Sequence, residues 1–145
     1  MAYDYGGYER NKRDIYDQHG RESITNAYGR FLSQQRGERS LGDMSRGFQR
    51  QYPGVRASFG QRGFTPGIKS GVQQSSMRDY VGDYTRNYGR TQQDMTQGLQ
   101  QYDLNQSNLN SWKQQSLADL EAQKAQEIAN TATNVQRVRG QLGGI

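Results

Sequence analysis

From Ser70 to the C-terminus the chain has no proline, and Met77, Val81, Tyr84, Tyr88, Met95, Leu99, Tyr102 and Leu109 recur at steps of three, four or seven. Those steps draw one stripe along a helix. Ser70-Gly71-Val72-Gln73 has the Ser-x-x-Gln form of a capping box that can open it. The spacing predicts a long amphipathic helix over residues 72–139, about 100 Å at 1.5 Å per residue. A chain of 145 residues cannot cover such a rod with a core of its own. The alternative is a helical hairpin broken at the Asn/Ser-rich residues 103–110, with Ser111-Trp112-Lys113-Gln114 as a second cap. After Tyr102 the period lengthens, with Leu109, Leu120, Thr131 and Leu142 eleven apart. Helices coiled on such a seam pass from left-handed toward straight or right-handed. Arg137, Arg139 and Gly140 suit a helix end, leaving 140–145 as a tail.

Composition points the same way. Only 31% of residues are hydrophobic and mean hydropathy is −1.13, too polar for an autonomous globular core. Glutamine (20), glycine (18), arginine (15) and tyrosine (10) supply much of the chain, against 4 lysines. The absence of cysteine removes disulfides, thiolate metal sites and thiol nucleophiles. No 18-residue apolar run and no signal-like N-terminus occur, so neither a membrane span nor that secretory route is expected.

Residues 1–20 (Tyr3, Tyr5, Tyr8 and Tyr16 among glycine and mixed charge) have no period that buries a face and read as a flexible Tyr/Gly arm. Over 21–36, Ile24, Ala27, Tyr28, Phe31 and Leu32 mark a short amphipathic helix, with Gly37 as its cap. Residues 37–71 hold both prolines, Pro53 and Pro66, and a glycine every few positions, so an extended Gly/Arg/Phe strap is expected. The fold class read from sequence is mostly α, with a long C-terminal helix or hairpin and an extended N-terminal arm.

No constellation for catalysis assembles. His19 is the single histidine and lacks the further ligands a metal needs. Asp79 and Asp83, at i and i+4, are acids in the first turns of a helix rather than a tuned pair. Gly60, Gly63, Gly67 and Gly71 lack the lysine and the leading strand of a phosphate loop. The chain is therefore expected to be no enzyme and to use no cofactor, metal or small-molecule substrate.

Its side chains suit association instead. Residues 30–78 carry nine Lys/Arg against two acids within a net charge of +5. Arg46, Arg50, Arg56, Phe59, Arg62 and Phe64 mix cations with rings, as partner surfaces and sequence-tolerant nucleic-acid surfaces both do. The helical stripe nominates Tyr80, Tyr84, Tyr88, Met95, Leu99, Tyr102, Leu109, Trp112, Leu117, Leu120 and Ile128 as interface residues, with the lone tryptophan as the sharpest.

Three stretches resemble small virion proteins of tailed bacteriophages. They are the strap Arg62-Gly63-Phe64-Thr65-Pro66-Gly67-Ile68-Lys69-Ser70-Gly71, the Tyr/Gln helix with Asp79-Tyr80 and Gly98-Leu99-Gln100-Gln101-Tyr102-Asp103-Leu104, and the Ala/Gln helix from Ala118-Asp119-Leu120 to Ile128-Ala129. The resemblance implies a virion location and a subunit repeated in many symmetric copies. Its arms and helices would lock onto larger head, connector or tail proteins and onto copies of itself. A nucleic-acid-associated virion protein, its strap on packaged DNA, is the alternative.

Overall fold

Asp4 begins the first helix. Its carboxylate accepts the Gly7 backbone N–H at 2.9 Å and its carbonyl accepts that of Tyr8 at 3.2 Å, the two bonds of an N-cap. The computed structural model describes residues 4–61 and 71–142, apart from the side chains of 59–61, 72, 73 and 142. All of them after Asp4 are helical: α1 spans Tyr5–Gln61 and α2 spans Gly71–Leu142, and no strand occurs among the described residues. The chain is mostly α.

The N-terminal half differs from its expectation. Residues 5–20, read as an arm, and 37–61, read as a strap, continue the 21–36 helix without interruption. Gly37 is interior to α1 rather than its cap, and Pro53 sits inside the helix. Proline and glycine weaken a helix by amounts that packing along one side can outweigh. Residues 62–70, the rest of the strap, lie outside the described residues. In α2 no break falls at 103–110, and the helix passes Gly140 to Leu142.

The chain divides into two units, one of Met1–Ala27 with Asp103–Ile145 and one of Tyr28–Tyr102. In the second unit α1 and α2 are antiparallel: Gly29 lies against Tyr102, Gly37 against Met95 and Phe48 against Tyr84. In the first unit they are antiparallel as well, Tyr8 meeting Glu121, Tyr16 meeting Lys113 and His19 meeting Asn110.

Half-buried positions follow an eleven-residue step in both helices. In the second unit these rows are Arg30, Leu41 and Tyr52; Gly37 and Phe48; Tyr80, Thr91 and Tyr102; and Tyr84 and Met95. In the first unit they include Lys12 and Ser23, Ile15 and Asn26, Gln106 and Leu117, and Leu109, Leu120 and Thr131. Eleven residues make three turns of 3.67, close to the natural helix, so these rows stay on one side with little coiling. The long period begins at Tyr80 rather than after Tyr102, although seven-residue steps such as Tyr84, Thr91 and Gly98 are half-buried too.

Burial is slight. Among the described residues only Tyr8 (5% exposed) and Leu120 (9%) are buried.

Candidate functional site

The seam of the second unit is aromatic. Phe48 of α1 stacks on Tyr84 of α2 with ring centroids 4.1 Å apart, lies 5.6 Å from Tyr80, and meets Tyr52 on its own helix at 5.3 Å. The Tyr80 hydroxyl donates to Gln51 Oε1 at 3.4 Å, and Thr91 donates to the Met44 sulfur at 3.5 Å. An open cleft of about 430 Å³ lies over this cluster, with Met44, Gln51 and Asn87 among its walls. Asp83 on its edge is paired with Arg86 one turn on.

The seam of the first unit is polar. The buried Tyr8 donates its hydroxyl to the Glu121 carboxylate, and the Lys124 ammonium lies over the same ring 4.3 Å from its centre. Further along, His19 Nε2 lies 2.8 Å from Asn110 Oδ1. Gln106 Nε2 donates to Ser23 Oγ at 3.0 Å and to Asn110 Oδ1 at 3.4 Å, while Asn26 donates to Gln106 Oε1 at 3.2 Å. The single histidine thus belongs to an amide and hydroxyl ladder. Among the described residues no group of three His, Asp or Glu is placed to hold a metal.

Of the residues nominated from sequence as an interface, Tyr80, Tyr84, Met95 and Tyr102 meet the chain's own first helix. Tyr80 and Tyr84 meet Phe48, Tyr88 leans on Tyr84, Met95 meets Gly37 and Tyr102 meets Gly29. Leu99, Leu109, Trp112 and Leu117 are half-buried and Leu120 is buried. Ile128, 41% exposed, is the member left open. That α1 is a continuous helix lying along this stripe was not foreseen from the sequence.

What remains exposed lies elsewhere. On α2, the exposed Ile128, Val135 and Val138 and the half-buried Thr131 fall at steps of three, four and three, the spacing of a coiled-coil seam. Val135 is 59% and Val138 50% exposed. On α1, Ile24, Tyr28 and Phe31 of the 21–36 stripe are each more than half exposed. The helix read over 21–36 is present within α1, with Leu32 the half-buried member of its apolar stripe. Of the basic and aromatic contacts nominated, Arg46, Arg50 and Arg56 are exposed on α1. The Phe59 side chain, Arg62 and Phe64 lie outside the described residues.

Charge divides by unit. The second unit holds 11 of the 19 Lys/Arg and 5 of the 14 acids, a net +6, while the first holds 8 and 9, a net −1. No protein-family model, curated protein or solved structure matches the chain.

Proposed function

We propose that this chain is a non-enzymatic structural subunit, docking in many symmetric copies onto copies of itself and onto larger proteins of a phage head, head–tail connector or tail. The observation that carries the docking is the row Ile128, Thr131, Val135 and Val138. It is a helix seam in spacing and in chemistry, and its large members stand exposed. Leu104 at 58% and Ile24 at 72% add exposed apolar area in the same unit. Two helices that, among the described residues, bury only Tyr8 and Leu120 gain little from each other, and a neighbouring helix on the open row supplies the missing contact. The assignment to a virion rests on the resemblance carried by residues 62–71 and the two α2 stretches.

Light scattering combined with helical content by circular dichroism tests the docking. The expected result is a discrete, salt-resistant oligomer. Val135→Asp with Val138→Asp should reduce its mass while most helix remains. A fully helical monomer at all concentrations would overturn the self-docking reading, and absence of the protein from purified particles would overturn the virion assignment.

A further inference from the structure

We propose that the outer face of α1 in the second unit binds single-stranded nucleic acid, with arginines on the phosphates and two exposed rings under the bases. The charge division favours such a face: the second unit carries the whole positive excess of the molecule. Within it, the distribution along α1 is ordered. At 100° per residue, Arg39, Arg46 and Arg50 lie within about 40° of one another, on the side opposite the seam residues Gly37, Leu41 and Phe48, and Arg36 lies about 40° beyond them. All four arginines are exposed. Arg36, Arg39 and Arg50 make no ion pair among the described residues, and Arg46 is held by Asp43 at 2.6 Å in a solvent-exposed pair. Such pairs are weak and yield to a phosphate.

Tyr28 falls on the same line and Phe31 about 60° to one side, and they are 63% and 57% exposed. Large rings left open beside a row of guanidinium groups are the components of a sequence-tolerant single-strand surface, stacking on bases while arginines follow the backbone. A duplex keeps its base faces inside the stack, so it would engage the arginines and leave the rings idle. That asymmetry is why the unpaired strand is the favoured ligand. The reading is independent of the docking row Ile128 to Val138, which lies in the other unit.

Fluorescence anisotropy with the full chain tests it, using a 30-nucleotide single strand of mixed sequence and the corresponding duplex at about 50 and 200 mM salt, a range over which phosphate binding is expected to change strongly. Four phosphate contacts predict a fall of about 50-fold in single-strand affinity across that range. Substituting Arg39, Arg46 and Arg50 together by Gln should lower the log–log salt slope by about 2. Tyr28→Ala and Phe31→Ala should each weaken single-strand binding about tenfold and leave the salt slope and duplex binding unchanged. Asp43→Asn, which releases Arg46, should tighten both. Substituting Arg13, Arg21 and Arg137 by Gln controls for net charge and should change little. All these positions are exposed, so unchanged helical content verifies the fold, and unchanged mass by light scattering separates this outcome from that of the docking row. No binding at low salt, an equal loss in the charge control, or duplex binding as tight as single-strand binding with the ring variants silent would each overturn the proposal.

Discussion

Gly37 packs against α2 in the second unit: a Cβ there would fall 2.5 Å from both Cγ and Sδ of Met95. Gly29 is similar, with the Tyr102 ring 2.8 Å from the position a Cβ would take. Gly89, by contrast, has nothing within 4 Å. The same substitution therefore has opposite signs at two positions. Gly37→Ala gains about 1 kcal/mol of helix propensity and forces a seam overlap, for a net loss of about 1–2 kcal/mol. Gly89→Ala keeps the propensity gain alone and should stabilise by about 0.5–1 kcal/mol. Urea midpoints of the two variants, measured side by side, give the comparison. Tyr8→Phe removes the hydroxyl from Glu121 and should cost about 1 kcal/mol by the same measurement. The loss is held down because Glu121 is 56% exposed and rehydrates.

At the scale of the element, Pro53 leaves the Gln49 carbonyl without its helical donor while α1 continues beyond it. Pro53→Ala should restore that bond and raise amide-exchange protection over residues 50–58, by about 1–3 kcal/mol locally. The same proline marks what could be read in the sequence. The α2 helix was legible from its freedom from proline and its apolar steps, while Ser70 of the capping box read there lies outside the described residues. The α1 helix was not, because its half-buried rows are filled by residues hydropathy does not register, such as Asn26 and Gly37 in line with Ile15 and Phe48. An eleven-residue period scored on side-chain size rather than polarity would have found them. The polar ladder of His19, Ser23, Asn26, Gln106 and Asn110 was equally hidden, since amides and hydroxyls become a site only when a second helix brings their partners. The arginine row on α1 was partly visible: spaced arginines including Arg36, Arg39, Arg46 and Arg50 stand out in the sequence, while their sharing one face follows only once residues 37–61 are known to be helical.

At the scale of the whole molecule, the small buried core makes stability depend on what the chain meets. If copies dock through the exposed row on α2, the melting temperature should rise with protein concentration, by several degrees per decade for a chain of this size. A melting temperature independent of concentration would argue against assembly through that row. The close approach at Gly37 also exposes the molecule to oxidation. Met95 is half-buried, with its sulfur against the Gly37 backbone, where a Cβ would not fit. Conversion to the sulfoxide adds one polar oxygen at that point, much as a methyl group on Gly37 would add one carbon. Mild peroxide should therefore loosen the second unit as Gly37→Ala does, and methionine sulfoxide reductase should reverse the loss.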